Sequence, residues 1–331
     1  VAIGHLAASG KVGSGSQYTK ASVHIGYASG AKQTTGANNT SVGHAALAGN
    51  PSGTALTGAD NTVMGYSAGY AMEGDANRNT IMGSSAGLAL TNGSEHVIIG
   101  ANSGKGITDA GNNTYLGFAV ATHSSSNGHS NTLVGSAVAS GGALTGNYNV
   151  AVGRNSLLSA TSGSDNVVMG YQAGDAITSD ARIVAIGTSA YSANDDTAGH
   201  SGTASEGSGN IAIGYKSMTA LAGTGALRNT AIGYEAMLTP AAVSIVDNTA
   251  LGFRALQNIN HNDGDNNTAI GSLSGAHIGS GTKNTFLGSY AGTNGETDDI
   301  ASNTATDNIA IGYQAMGAAY GTASNHFTAT N

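Results

Sequence analysis

Asn229-Thr230-Ala231-Ile232-Gly233-Tyr234-Glu235-Ala236 is followed, 19 residues on, by Asn248-Thr249-Ala250-Leu251-Gly252-Phe253-Arg254-Ala255. The same frame recurs along the whole chain. It is marked by Gly4, Gly26, Gly43, Gly65, Gly83, Gly100, Gly117, Gly135, Gly153, Gly170, Gly187, Gly214, Gly233, Gly252, Gly271, Gly288 and Gly312, with most successive gaps of 17 to 19 residues. Self-similarity at this period predicts stacked units rather than one spherical core, so a length of 331 residues does not translate into two ordinary domains.

The residue before each marker glycine is Ile, Val, Leu or Met in all copies, and the residue three before is Thr, Val or Ile. These two positions lie on one face of a period-2 strand, and the glycine that follows reads as a turn. Helix is excluded by the glycine density and the brevity of each apolar run. The residue between the two is apolar in fifteen of seventeen copies, with His24 and Ser41 the exceptions. A strand apolar on both faces is buried on both. The expectation is that the outer pair lines the coil's own core and the middle residue packs on another copy of the chain. Ala151, Ala185, Ala212, Ala231, Ala250, Ala269 and Ala310 form that inter-chain set, in an oligomer closed around a shared axis.

Asn stands four before the glycine in thirteen of the sixteen copies that have this position. It tolerates turn geometry, and in register it can form amide ladders between coils. An aromatic often follows the glycine, as at Tyr27, Tyr66, Phe118, Tyr171, Tyr215, Tyr234, Phe253 and Tyr313, and a small residue lies two further on. Each unit therefore reads as two short strands and two turns, making one coil. Seventeen coils stacked about 4.8 Å apart would form a rod of roughly 80 Å.

Composition agrees with an ordered array. Gly is 52 of 331 residues, Cys and Trp are absent, and charged residues are 9 per cent, against roughly a quarter in ordinary domains. A disordered tract has no reason to hold aliphatics in register. The net charge of −8 without any Lys/Arg cluster argues against nucleic acid as a partner. No apolar run approaches the roughly 20 residues needed to span a bilayer, so no membrane insertion of this segment is expected. The lack of Cys excludes a disulfide framework. The chain begins inside a motif copy without Met, so a fragment or a processed product is expected.

The array is expected to run continuously over residues 1–317, with polar loop insertions near 191–209 and 292–307, and residues 318–331 forming a tail or the start of another module. The stretch from Leu238 to Val246, with Pro240, breaks the pattern as a bulge or short helical turn.

The unit Asn-Thr-Ala-Ile-Gly-Tyr-x-Ala, seen at Asn229 to Ala236 and echoed at Asn308 to Ala315, resembles the head repeats of YadA-type trimeric autotransporter adhesins. It is also similar to the related repeats of phage and marine-virus tail fibres, whose longer spacing it shares. The resemblance implies an all-β, left-handed parallel β-roll of about 17 coils assembled as a homotrimer, which makes the Ala set above trimer-facing. It also implies attachment to a host cell-surface receptor or glycan from a virion. A bacterial surface adhesin head is the alternative, and a tailspike glycan depolymerase ranks below both.

Chemistry-bearing groups do not converge in the sequence. Asp195/Asp196 and Glu296/Asp298/Asp299 are the carboxylate clusters that a glycan-cleaving enzyme would need, but they read as solvated loop acids. Asp263-Gly264-Asp265-Asn266-Asn267 superficially suggests a calcium loop, yet Ser274 stands where the later bidentate Glu belongs, and a turn is preferred. No pair of the ten His has helical zinc spacing. His24, replacing an inward apolar residue, is the best candidate for a metal on a threefold axis, although no metal is expected. Gly104-Lys105-Gly106 lacks Walker spacing, and sequons such as Asn112-Asn113-Thr114 arise from the repeat itself. The aromatics after the marker glycines suit packing along the roll better than sugar stacking. The expectation is therefore a non-enzymatic protein without cofactor or metal, whose receptor contacts lie in loops.

Overall fold

The computed structural model describes residues 1–9, 21–123, 126–192, 209–219, 226–239, 244–259, 264–293 and 306–317. Among them there is no helix, and every named element is a short strand in parallel pairing: the protein is an all-β parallel solenoid. The chain forms two compact units, Val1–Ser162 and Gly163–Asn331. The centres of the two expected insertions, 193–208 and 294–305, and the expected tail 318–331, lie outside the described residues.

The first unit carries β1 (Ala2–Ile3), β2 (Val23–Ile25), β3 (Thr40–Val42), β4 (Thr62–Met64), β5 (Thr80–Met82), β6 (Val97–Ile99), β7 (Thr114–Leu116), β8 (Thr132–Val134) and β9 (Val150–Val152). The second carries β10 (Val167–Met169), β11 (Val184–Ile186), β12 (Ile211–Ile213), β13 (Thr230–Ile232), β14 (Thr249–Leu251), β15 (Thr268–Ile270), β16 (Thr285–Leu287) and β17 (Ile309–Ile311). Within each unit every strand pairs with the next in motif register. Thr230 opposes Thr249, Ala231 opposes Ala250, and Ile232 opposes Leu251.

The corner before each strand is a buried side-chain ladder. Asn61 Oδ1 accepts the backbone N–H of Asn79 at 2.9 Å and its side-chain amide at 3.0 Å, while Asn61 Nδ2 donates to the Ala76 carbonyl at 2.8 Å. Asn229 repeats this in the second unit, accepting from Asn248 N at 3.0 Å and donating to the Ile245 carbonyl at 2.7 Å. Each amide thereby satisfies two backbone groups that the coil would otherwise bury unpaired. It also ties each coil to the next independently of the strand ladder.

The corner after each strand is the marker glycine. At Gly117 the backbone takes φ 137°, and a Cβ would lie 1.7 Å from the Gly135 carbonyl oxygen. Left-handed geometry and close approach between coils both require glycine there.

The segment beyond that corner is not the second strand expected from the sequence. Alternate residues fall in the left-handed region, as at Ser85 (φ 55°) and Gly87 (φ 55°). No β-strand forms from such an alternation. The segment is still laddered, because Ser85 N–H donates back to the Tyr66 carbonyl at 2.9 Å and Gly87 N–H donates forward to Ser103 at 2.9 Å. Left-handed non-glycine residues cost roughly 1–2 kcal/mol each, and bonding to the coils on both sides holds them there. The residue between them is small and buried, as with Ala68, Ala86, Ser103 and Ala236. A third wall, including Leu56, Met72, Leu90 and Ile107, closes the interior.

Asn229→Ala is expected to leave a buried N–H and a buried carbonyl unpaired and to destabilise the second unit by roughly 2–4 kcal/mol. Hydrogen exchange across residues 226–252 checks this; protection unchanged from wild type contradicts it.

Candidate interaction surface

The strand alternation starts from the ladder. Asn at the fourth position before the glycine is buried, so the residue two before the glycine shares its inward face and the flanking residues point out. The middle residue of every strand from β2 to β17 is buried, and both flanking residues are partly or fully exposed. The sequence expectation had these faces reversed. Ala151, Ala185, Ala212, Ala231, Ala250, Ala269 and Ala310 are 0–2% exposed within the single chain and face its own interior, so they are not available to a neighbouring copy.

A volume exchange inside each coil explains the alanines. Where the middle residue is Ala or Ser, the buried left-handed residue four after the glycine is large: Ser41 with Leu47, Ala151 with Leu157, Ala212 with Met218, Ala231 with Met237. Where the middle residue is large, that later position is Gly or Ala: His24 with Gly30, Ile81 with Gly87, Phe286 with Gly292, Tyr115 with Ala121, Leu133 with Ala139. A Cβ at Gly292 would fall 2.3 Å from Phe286 Cδ1, and one at Gly30 would fall 2.3 Å from His24 Nδ1. Ala269 is paired with Gly275 because Phe286 fills the space from the next coil, 2.8 Å from where a Gly275 Cβ would sit. The two positions share one fixed volume, as a close-packed interior requires.

What faces out is a double row of β-branched and aliphatic side chains. Met64, Leu116, Met169, Leu251, Ile270 and Leu287 are 36–44% exposed. Beside this row, where the residue after the marker glycine is a ring in successive coils, exposed rings form stacks. His5, Tyr27, His44 and Tyr66 lie with successive centroids 5.5, 5.0 and 5.2 Å apart. Tyr215, Tyr234 and Phe253 follow at 5.0 and 5.5 Å. The spacing follows from the coil rise of about 4.8 Å. Tyr27, His44 and Tyr234 have both ring faces covered by neighbours and present only edges, so a sugar ring cannot stack on them.

The other residues singled out in the sequence serve the coil. His24 lies inside rather than toward an axis: its Nδ1 meets Ser41 Oγ at 2.7 Å, and Ser41 Oγ meets Ser29 Oγ at 2.6 Å. Burial holds its imidazole below the usual range. Asp265 Oδ1 accepts the Val246 N–H at 2.7 Å, Asn267 is a ladder rung, and Ser274 Oγ donates to the Phe286 carbonyl at 3.2 Å. Gly104 N–H bonds the Val120 carbonyl, and the Lys105 carbonyl accepts from Ala89. Asn113, the middle residue of this sequon, is a buried rung, while the acceptor position Asn112 is exposed beside it. Asp195, Asp196, Glu296, Asp298 and Asp299 lie outside the described residues, as does Asp263. No group of three or more His, Asp or Glu placed to hold a metal occurs among the described residues, and no described helix is long and apolar enough to cross a membrane.

Charged side chains decorate other walls and pair between neighbouring coils, as in Arg78 with Glu95, Arg228 with Asp247, and Arg254 with Glu235. The first two pairs are exposed and contribute little to stability, whereas Glu235 of the third is largely buried. Their positions favour motif register over a slipped pairing. Asp180 is a buried carboxyl that burial pushes up to about 6.

Ala231→Ile alone is expected to overpack the coil and cost roughly 1–3 kcal/mol, and Ala231→Ile with Met237→Gly to recover most of that loss. Denaturation of both variants and of Met237→Gly completes the cycle. An Ala231→Ile chain as stable as wild type would restore the outward reading of this residue.

No family model, no curated protein and no solved structure matches the chain.

Proposed function

We propose that the protein is a non-enzymatic shaft and host-attachment element of a viral tail fibre, a left-handed β-roll assembled as a homotrimer. The observation that carries this reading is the outward double row of aliphatic side chains, repeated on the strands of each unit. A water-exposed apolar strip of that regularity is what a self-complementary interface needs. Three copies around one axis would cover the rows of all three. The alanines formerly assigned to that axis stay in the coil interior, so the outward pair replaces them in this reading.

The mechanism is mechanical and multivalent. A repeating scaffold presents three identical surfaces, and weak receptor contacts add through avidity. The receptor contacts are expected in the insertions near 191–209 and 292–307, whose centres, 193–208 and 294–305, lie outside the described residues. The polar networks of the described residues are spent on holding coils together, which supports a non-enzymatic role.

Sedimentation velocity or native mass measurement tests the assembly. The wild-type chain is expected at three times the single-chain mass of 32.3 kDa. Leu251→Glu with Leu287→Glu is expected to give a folded monomer with unchanged far-ultraviolet circular dichroism. A wild-type chain that is a stable, folded monomer would sink the proposal. Oligosaccharides released from host polysaccharide would overturn the non-enzyme assignment.

A further inference from the structure

The ladder of the first unit contains one rung that can take up a proton. Among the described residues of that unit the rungs are Ser22, Asn39, Asn61, Asn79, His96, Asn113, Asn131 and Asn149. His96 sits between Asn79 and Asn113 and reproduces both ends of an amide. Its backbone N–H donates to Asn79 Oδ1 at 3.0 Å, its Nε2 lies 2.8 Å from the Ala110 carbonyl, and its Nδ1 receives the Asn113 N–H at 3.3 Å. A carbonyl can only accept and a backbone N–H can only donate. These partners therefore fix a neutral ring with its hydrogen on Nε2.

We propose that His96 makes the seam between β6 and β7 an acid-opened breakpoint, a place where lowering the pH separates coils that the amide rungs elsewhere hold together at any pH. Protonation places a hydrogen on Nδ1, facing the Asn113 N–H. Two donors then oppose each other in the buried corner, and the rung breaks. An Asn at this position makes the same two bonds and has no proton to gain. In a stacked array, stability is a sum over neighbouring coils, so loss of one rung weakens one seam and leaves the others intact.

The surroundings reinforce the effect. Burial holds the ring down to about 4, with His129 on the neighbouring coil adding to the depression and the Ala110 carbonyl opposing it. His129 takes the Gly111 N–H on its own Nδ1. Glu95 turns outward to Arg78, and Asp109 is held by Thr91 Oγ1. The folded value lies below that of a free imidazole. The contribution of His96 to stability is therefore whole above pH 6.5 and is lost as the pH falls from there through about 4. Over that span the opening equilibrium of the seam rises about 300-fold. The proposal concerns the single coil stack and does not depend on the assembly reading.

Hydrogen exchange of the full chain at pH 7 and pH 3.5, corrected for intrinsic rates, is the test, with wild type beside His96→Asn. Wild type is expected to lose protection over residues 97–116 in acid by about two orders of magnitude relative to His96→Asn. Equal acid sensitivity in the two chains, or loss confined to residues 23–42 around His24, overturns the proposal. If His96→Asn does not fold, nitrogen resonances of the wild-type imidazole decide. A neutral ring protonated on Nε2 at pH 6, titrating near 4 together with the exchange of Asn113, supports the breakpoint. A ring already charged at pH 6 or protonated on Nδ1 removes it.

Discussion

The buried amide at the corner of each coil is the constraint from which the other features follow. One Asn side chain accepts from the next coil's backbone N–H and donates to its carbonyl, as Asn131 does to Asn149 N and Gly146 O. Those two bonds set the distance between coils and the register of the strands that follow. Through strand alternation they also decide which side chains enter the core. The amide is two-ended, and that suits it to the place: a hydroxyl such as Ser22 can satisfy the N–H of Asn39, but it does not span to a second carbonyl. At Ile183 the side chain contributes no rung, yet its N–H is still taken by Asn166 Oδ1 at 2.9 Å. The ladder tolerates that local loss because each seam is bonded separately.

Much of this was legible in the sequence. The glycine period, the short strands and their parallel stacking follow from Asn-Thr-Ala-Ile-Gly and its copies, because few other arrangements satisfy a repeat of that length. The assignment of faces went wrong at a single step. A bulky aliphatic pair flanking a small Ala was read as core and contact, since large apolar groups are usually inside. The Asn ladder already contained the correction: if the amides stack in the interior, the residue two further on is interior too. The exchange of Ala231 with Met237 against Ile81 with Gly87 is a second signal in the sequence, and it became readable once left-handed backbone brought the later position into the core.

The segment after the marker glycine was less legible for a physical reason. Alternating small and large residues there fit a strand, and nothing local forces Leu47, Met218 or Met237 into the left-handed region. Glycine at the same position in other coils was the available hint, since Gly30, Gly69, Gly87, Gly104 and Gly174 all take φ near 60°. The strain at the bulky residues persists because their N–H groups are pinned by the next coil, as with Met218 to Ala236 and Met237 to Ala255. Neighbouring coils thus override the propensity of a single residue, and propensity is all that a reading of one repeat contains.

The same bonding pattern restricts where the repeat can vary in length. The rung, the strand, the marker glycine and the left-handed residues are each bonded to the coils before and after, so an added residue in any of them would break two ladders. The repeat lengths obey this restriction. The 27 residues from Gly187 to Gly214 and the 24 from Gly288 to Gly312 add their extra residues after the second left-handed position and before the next rung. In that stretch the coil closes its third wall, and bonding between coils resumes just before the rung, as where Arg78 N–H donates to the Ala59 carbonyl and Glu95 N–H to the Asn77 carbonyl. A scaffold with one permissive segment per repeat can accept polar, Gly/Ser-rich insertions without disturbing the outward aliphatic rows, which lie on a different wall. Under the proposed function, the surface for assembly and the surface for recognition would be separated by the geometry of the coil.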